Sequence, residues 1–165
     1  MITLLFIIQA FVQSSNYDLQ TVKEWLTATE KLYYGFAGNR GQLSKEVLLY
    51  SKNSNFNIYI TKEGLSFVIY ANEKTENQKE SKILYSRIDY DLIGGNIKKE
   101  NITFENEIEN YYENYYTQYA PDGILFVRLY RKVRIKEVYP GIDWILRYDE
   151  NGTFIMNLKQ VQTQT

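Results

Sequence analysis

Short apolar stretches alternate with tight-turn signals along most of this 165-residue sequence. The turn signals lie at 62–64 (Lys-Glu-Gly), Gly94-Gly95, 121–123 (Pro-Asp-Gly), 139–141 (Tyr-Pro-Gly) and Asn151-Gly152. Glycine and asparagine accept the positive φ that tight turns require, and proline presets φ at the second turn position. This spacing predicts a mainly β fold, either an antiparallel β-sandwich or an open barrel of short strands, with one N-terminal amphipathic helix.

The predicted strands are alternating or continuously apolar runs. In 56–61, for example, Phe56, Ile58 and Ile60 share one face, because successive side chains of a strand point to opposite faces. We predict about eight to ten short strands, a surface loop at 72–81 and no definite assignment for 96–123. The runs assigned to strands are 46–50, 56–61, 65–71, 82–92, 124–139 (one strand or two), 144–149 and 153–158.

The first residues resemble an export signal. Residues 1–12 (MITLLFIIQAFV) are almost entirely apolar, and no charge precedes Asp18. A bilayer span needs about 20 apolar residues, whereas this length suits the apolar core of a secretory signal peptide. We therefore predict a signal peptide at 1–15, cleaved near Ser14 or Ser15. No Lys or Arg precedes the run, so either the signal is atypical or the recorded start is not the true start. A buried N-terminal strand is the alternative, since Ile and Phe are common in such strands.

Residues 16–35 are predicted to contain the helix. Val22, Trp25, Leu26 and Thr29 follow the spacing of one helical face. The β domain is then expected at 36–158. The polar stretch 159–165 is expected to be a tail without a partner in the chain, and it could mark a truncation point.

The sequence contains neither Cys nor His. Their absence excludes disulfides, Cys or His metal sites, Ser-His-Asp triads and Cys-His nucleophiles. The 19 basic and 20 acidic residues nearly cancel, so the net charge does not attract nucleic acid. We predict no cofactor, no metal site, no nucleic-acid partner and no stable membrane span.

Any enzyme built from this sequence would have to rely on carboxylates, hydroxyls or lysines. Asp89 and Asp91 share one face of a predicted strand and could form a glycosidase pair or a Ca²⁺ site. Asp143 follows a turn, where it could be an acid or could cap the turn and pair with Arg131 or Arg147. No motif fixes a catalytic geometry, so we predict no catalytic residue and treat a carboxylate-only hydrolase as the least favoured reading.

Tyrosine is abundant, with 16 residues, and it clusters at 111–119 (YYENYYTQY). Aromatic rings have apolar faces and polar tips that suit binding surfaces, for sugars among other ligands. Packing within strands is the alternative, since tyrosine is favoured there and an AT-rich genome also raises its frequency. The candidate ligand-binding residues are Tyr111, Tyr112, Tyr115, Tyr116 and Trp144.

Charged residues are grouped by sign in the second half of the sequence. Opposite charges stabilise cross-strand pairs, so we predict that the acidic group lies across from the basic group rather than that the basic group binds nucleic acid. The acidic residues are Glu105, Glu107 and Glu109, and the basic residues are Arg128, Arg131, Lys132, Arg134 and Lys136.

Two motifs stand about a hundred residues apart and precede predicted strands or hairpins. The first, of the form F-x-x-N-x-G-Q, comprises Phe36, Asn39, Gly41 and Gln42. The second lies within 138–144 (VYPGIDW) and comprises Tyr139, Pro140, Gly141 and Asp143. We interpret both as structural, because Asn and Gly tolerate left-handed backbone and the Gln amide can satisfy buried backbone groups with both of its ends.

Together the motifs resemble the N-terminal domain of unknown function that opens many secreted bacterial proteins. Such proteins continue into beta-propeller (SBBP) repeats, PKD-like domains or gliding-motility-type C-terminal sorting domains. The resemblance covers roughly residues 33–158. It implies an exported, mostly β domain at the head of a larger architecture, with no assigned activity.

These observations lead to three functional hypotheses. The first is a non-catalytic structural or interaction module of a secreted or cell-surface protein, such as an adhesion module, whose partner is an extracellular protein or a glycan. The second is a carbohydrate-binding module that uses the Tyr cluster and Trp144. The third is the carboxylate-only hydrolase. We expect a monomer or one part of a multidomain chain.

Overall fold

A computed structural model divides the chain into two compact units, residues 1–33 and 34–165. In the first unit, Gln20 and Glu24 are helical, and Gln20 Nε2 donates to Glu24 Oε1 at 2.8 Å. The predicted signal peptide and most of the predicted helix lie outside the described residues. Besides Gln20 and Glu24, the described residues are 33–53, 56–74, 81–117 and 120–161, with backbone alone for 71–74, 81 and 82.

The second unit is mainly β, as predicted, and its described strands form three antiparallel sheets that do not close into a barrel. A short 3₁₀ turn, Lys99–Asn101, is its one described helical element. The strands are β1 (Ala37–Gly38), β2 (Leu49–Lys52), β3 (Phe56–Ile60), β4 (Gly64–Lys74), β5 (Ser81–Asp91), β6 (Ile102–Glu107), β7 (Glu113–Thr117), β8 (Ala120–Val127), β9 (Tyr130–Tyr139), β10 (Ile142–Tyr148) and β11 (Phe154–Gln160).

Strand order follows the chain closely within each sheet. The five-stranded sheet has the order β1-β2-β3-β4-β5, and the four-stranded sheet has the order β11-β10-β9-β6. The third sheet is the β7–β8 hairpin. Phe36 connects the two larger sheets, because its backbone exchanges hydrogen bonds of 2.8 and 2.9 Å with Tyr130 of β9 just before the chain enters β1.

Both larger sheets contribute to one hydrophobic core. Alternate side chains of β3 and β4, such as Ile58, Ile60 and Leu65, are buried with Val133 and Trp144 of the four-stranded sheet. These side chains are buried together because every second side chain of a strand faces the same side of the sheet. The aromatic ring of Phe36 lies in the same core.

A second core lies beneath the β7–β8 hairpin. Tyr50 follows Leu49 in β2 and therefore points to the opposite face, yet both are buried. Tyr50 packs with Ala37, Val127 and Leu129, and side chains of the hairpin cover this cluster. The five-stranded sheet is thus covered on both faces near β2, while β5 stays exposed at the far edge.

Most of the expected strands are present, some of them longer than predicted, but the strand predicted at 46–50 is displaced to Leu49–Lys52. β4 ends at Lys74 and β5 begins at Ser81, so 72–74 and 81 of the predicted loop at 72–81 belong to strands, and 75–80 lie outside the described residues. The predicted 124–139 run is two strands of different sheets, β8 and β9. Of the helix predicted for 16–35, Tyr33 lies in a turn and residues 34 and 35 are not helical, and most of the rest lies outside the described residues.

Three local predictions are wrong. Residues 121–123 do not form a turn but lie within β8, where Gly123 adopts φ 79° at an irregular register. Asn151-Gly152 belongs to a longer loop, because the Asp149 carboxylate accepts the N–H groups of Asn151 and Thr153 at 2.9 and 2.8 Å. The tail has a partner, since Lys159 and the next residue pair with β10.

Candidate binding surface

The Asn39 side chain organises the loop between β1 and β2. Its Nδ2 group donates to the carbonyl oxygens of Ser44 and Val47, both at 2.8 Å, and to that of Leu43 at 3.3 Å. Its Oδ1 atom accepts the N–H groups of Gly41 at 3.0 Å and Leu43 at 3.2 Å. One buried amide therefore satisfies donors and acceptors of the whole loop, which supports the structural interpretation of this motif.

Gln42 connects the same loop to the β7–β8 hairpin. Its Oε1 accepts the Arg40 N–H at 2.7 Å, and its Nε2 donates to the Gly38 carbonyl and to the Tyr50 hydroxyl, both at 3.0 Å. The Tyr50 hydroxyl in turn donates to the Tyr115 hydroxyl at 2.8 Å. The motif thus fixes the position of β7 through a chain of buried polar groups.

The network ends at a carboxylate. The Tyr115 hydroxyl donates to Glu113, and Lys52 Nζ lies 4.7 Å from the centroid of the Tyr115 ring. Burial is the main cause that raises the pKa of both Tyr50 and Tyr115. Both phenols therefore stay protonated at neutral pH and act as hydrogen-bond donors within the network.

The tyrosine cluster at 111–119 is divided between two faces. Tyr111 and Tyr115 pack against the second core, and Tyr112 and Tyr116 point outward. Tyr116 is 70% exposed. Of the four predicted binding tyrosines, only the outward pair is placed to meet a ligand, and the inward pair is structural.

Phe126 joins this outward pair through an unusual backbone. Two residues of β8, Leu125 and Phe126, stand opposite Asn114 in a β-bulge, and Phe126 adopts φ 55°. A bulky side chain rarely occupies this left-handed region. The Asn114 Oδ1 atom accepts the Phe126 N–H at 2.9 Å and so stabilises the bulge. Such strained positions cluster at functional sites, so the outlier motivates a functional hypothesis.

We call the resulting patch the aromatic surface. The Tyr112 and Phe126 rings are 4.9 Å apart, and the Arg128 guanidinium lies 5.7 Å from the Tyr112 ring centroid. The Tyr116 ring lies over Gly123, where a Cβ atom would come within 2.8 Å of it. Phe126 is 56% exposed. The aromatic surface consists of Tyr112, Tyr116, Leu125, Phe126 and Arg128.

Trp144 is not part of a binding surface in this structure. Its side chain is 1% exposed and lies in the main core, so its ring is not available to stack on a sugar. The role predicted for it beside the Tyr cluster is therefore wrong. Its position in β10 explains the burial, because this strand lies between β9 and β11 and residues 143–146 are all buried.

Asp143 stabilises a second bulge. Its Oδ1 atom accepts the Glu137 N–H at 3.0 Å, and Glu137 adopts φ 49° where the β9–β10 register shifts. Its Oδ2 atom lies 3.5 Å from Arg134 Nη1. Asp143 thus accepts a backbone N–H, as a capping carboxylate would, but in a bulge rather than in the turn, and its ion pair is with Arg134 rather than with Arg131 or Arg147. Gly141, at φ 70°, occupies the turn position predicted to need positive φ.

The other two carboxylates considered for catalysis, Asp89 and Asp91, lie on one face of β5. Asp89 Oδ1 accepts from Ser66 Oγ at 2.5 Å and from Arg87 Nε at 2.8 Å, which lowers the pKa of Asp89. Asp91 pairs across the strands with Gly64. Asp143 lies in the other large sheet. Among the described residues, no three acidic side chains come together as a metal site.

The predicted pairing of acidic and basic residues is confirmed at two of three positions. Glu105 contacts Lys132 at 2.6 Å and Arg134 at 3.2 Å, and Glu107 lies 3.6 Å from Arg128. Glu109 lies in the turn after β6 and outside this ladder. The hydrogen bond from Lys132 is the largest cause that lowers the pKa of Glu105. Internal pairing therefore accounts for much of the basic strand.

Comparison with known proteins identifies a family. The sequence profile of a family described as "Domain of unknown function (DUF7948)" matches residues 36–159. The match includes both motifs and the aromatic surface. No curated protein and no solved structure matches the chain significantly. In the described part of the chain, no helix is long and apolar enough to cross a membrane.

Sequence reasoning missed Leu125, Phe126 and Arg128 as members of the surface. Residues 96–123 had no definite assignment, so the strand opposite these residues was not known. Assigning β7 would have separated outward from inward tyrosines by the two-residue period. The bulge is less easily recognised in the sequence, because its only sign is an Asn in one strand opposite an aromatic residue in the next.

Proposed function

The chain belongs to the DUF7948 family, a domain of unknown function, and we propose that it is a non-catalytic interaction module whose contact is the aromatic surface. The observation that carries the proposal is Phe126, a bulky residue held at φ 55° with more than half of its side chain exposed. A core-forming role would bury this ring, whereas the bulge presents it beside Tyr112. Exposed aromatic residues are enriched where proteins bind partners.

The positions of the carboxylates support the non-catalytic part of the proposal. Asp143 holds a backbone bulge, and Asp89 bonds to Ser66 and Arg87. A glycosidase needs two carboxyl groups on either side of one sugar bond, about 5 to 9 Å apart. Asp89 and Asp91 share one face of β5, but Asp89 is bonded to Ser66 and Arg87, and Asp143 belongs to the other large sheet.

The partner in our proposal is an extracellular protein. We propose that the module is exported by the predicted signal at 1–15 and acts in the medium or at the cell surface. We also propose that it heads a larger architecture of the kind in which such domains precede propeller repeats or sorting domains. N-terminal sequencing of the exported protein tests the export step: a chain that starts near Ser15 or Asn16 supports it, and an intact Met1 contradicts it.

A carbohydrate-binding module is the second candidate, and Tyr116 favours it. This ring rests on Gly123 and is 70% exposed, so one of its faces is available to stack on a sugar. The site of this candidate is the aromatic surface without Trp144, whose ring is buried.

One pair of array experiments tests the proposal and separates the candidates. The full chain, a Tyr112→Ala/Tyr116→Ala variant and a Leu158→Ala control are applied to a glycan array and to an array of extracellular proteins. Leu158 is an exposed apolar residue of β11, away from the aromatic surface. Saturable protein binding that the double variant loses and the control keeps supports the proposal, and the same pattern on glycans supports the second candidate. Binding that the double variant retains contradicts both.

A further inference from the structure

The outer edge of β5 carries unpaired backbone groups. Just after β5, Leu92 donates its N–H to the Glu63 carbonyl at 2.9 Å, on the β4 side. The even-numbered residues of β5 therefore direct their N–H and C=O groups towards β4. Backbone direction alternates along a strand, and the β4–β5 register is uninterrupted from Gly64 to Lys74. The odd-numbered residues of β5 therefore point their N–H and C=O groups outward, where no described strand pairs with them.

This edge also exposes large apolar side chains. Tyr85 is 74% exposed and Ile88 is 55% exposed, and Leu84, Tyr90 and Ile83 are also exposed. Natural proteins protect long edge strands with bulges, prolines or covering elements, because an open edge accepts another strand. β5 has no proline and no bulge. The opposite edge of the same sheet is short and is continued to β9 through Phe36.

The charges of β5 are complementary to those of an antiparallel copy of itself. Arg87, Ile88 and Asp89 follow one another, so a second β5 that runs antiparallel about Ile88 places each Arg87 opposite the Asp89 of the other copy. Both residues have exposed side chains, at 61% and 47%. Registers centred on Arg87 or on Asp89 would oppose like charges, which is unfavourable.

We propose that this protein forms a two-fold symmetric dimer by antiparallel pairing of two β5 strands centred on Ile88. In this register Arg87 pairs with Asp89 and Tyr85 with Asp91, and all four are residues whose backbone groups point outward. The two Ile88 side chains meet on the axis in a non-hydrogen-bonded pair, where Cα atoms approach to about 4.5 Å. The two five-stranded sheets then form one continuous sheet, with the same patch contributed by both copies.

Charge exchange tests both the dimer and its register. The full chain is studied by sedimentation velocity over a range of concentrations, as wild type, Arg87→Asp and Asp89→Arg. We expect a wild-type dimer, and we expect each reversal to weaken it by roughly tenfold or more, since each creates two like-charge contacts. An equimolar mixture of the two variants restores opposite charges and should form a heterodimer, visible by native mass spectrometry. A loss of folding could not produce this rescue.

A backbone variant provides an independent test. Tyr85→Pro removes an outward N–H without removing a hydrogen bond to β4, and it should abolish the dimer. Leu158→Pro is the matched control. Val161 donates its N–H to the Gly141 carbonyl, so the odd-numbered residues of β11 bond to β10, and the N–H group of Leu158 points outward like that of Tyr85. A wild-type monomer at all concentrations, a mixture that stays monomeric, or a dimer that survives Tyr85→Pro overturns the proposal. The proposal is also overturned if the wild-type protein is monomeric and binds an extended foreign peptide at this edge.

Discussion

Asp143 Oδ1 accepts the backbone N–H of Glu137 at 3.0 Å and thereby holds a non-glycine residue at φ 49°. Asn114 does the same for Phe126 at 2.9 Å and φ 55°. The protein thus uses one device twice: a side-chain oxygen on one strand fixes a left-handed residue in the bulge of its neighbour. The first bulge lies beside the core, and the second forms the aromatic surface.

The Asp143 carboxylate should contribute to stability through its bulge. Asp143→Ala leaves the Glu137 N–H without its acceptor and should lower the free energy of unfolding by about 1 to 2 kcal/mol, because it removes a hydrogen bond to a charged acceptor that holds the bulge. Asp143→Asn keeps an acceptor and should cost less. Thermal melts of both, beside an Asp122→Ala control at an exposed position, measure the difference. Equal melting temperatures for Asp143→Ala and the control would show that the bulge does not depend on this side chain.

Asn39 should tolerate its isosteric replacement poorly. In Asn39→Asp, a carboxylate oxygen takes the place of the Nδ2 group that donates to the carbonyls of Ser44 and Val47. Oxygen atoms then face each other at hydrogen-bond distance, so we expect a loss of about 2 to 3 kcal/mol in unfolding free energy. Urea denaturation compares this variant with Asn157→Asp, at an exposed position of β11. If Asn39→Asp is no less stable than that control, the assigned amide orientation is wrong.

Glycine and alanine should rank in an unusual order at Phe126. Alanine retains the penalty for φ 55° and glycine does not, so Phe126→Gly should be more stable than Phe126→Ala by about 1 kcal/mol. At Leu125, whose φ is not positive, the usual strand preference for alanine should hold. The measurement is the unfolding free energy of the Gly and Ala variants at Phe126 and at Leu125. If alanine is more stable than glycine at both positions, the left-handed bulge is contradicted.

Acid should destabilise the protein in part through Glu105. Its pKa is lowered in the folded state, first by the Lys132 hydrogen bond, so the stability it contributes is present above its unfolded pKa and is lost as pH falls through the folded value. Glu105→Gln should therefore flatten the decline of unfolding free energy below about pH 4.5. Glu107→Gln, whose ion pair with Arg128 is longer and more exposed, is the control. Identical acid profiles for wild type and Glu105→Gln would contradict this assignment.

Periodicity predicted the strands well where one face is buried. Phe56, Ile58 and Ile60 were assigned to one face, and all three contact the main core. Turn chemistry was less informative, because a glycine with positive φ serves a bulge as readily as a turn. Gly123 therefore suggested a turn, whereas in the structure it lies within β8 at an irregular register.

Residues whose role depends on distant partners could not be assigned from the sequence. Tyr50 alternates towards the outside of its sheet, and only the position of the β7–β8 hairpin explains why it is buried. Asp143 was recognised as a capping group, but its partner Arg134 depends on the β9–β10 register. The exposure of Phe126 follows from a bulge that involves Asn114, twelve residues away in sequence.

Site-specific photo-cross-linking tests the central claim most directly. A photoreactive phenylalanine analogue is placed at Tyr116 in the aromatic surface, or at Leu158 as an exposed control, and the full chain is irradiated in the presence of extracellular proteins. Our account predicts a discrete cross-linked partner from position 116 that is absent from position 158 and is lost when Phe126→Ala is added. Equal cross-linking from both positions, or a partner unaffected by Phe126→Ala, would contradict the assignment of the aromatic surface as the contact.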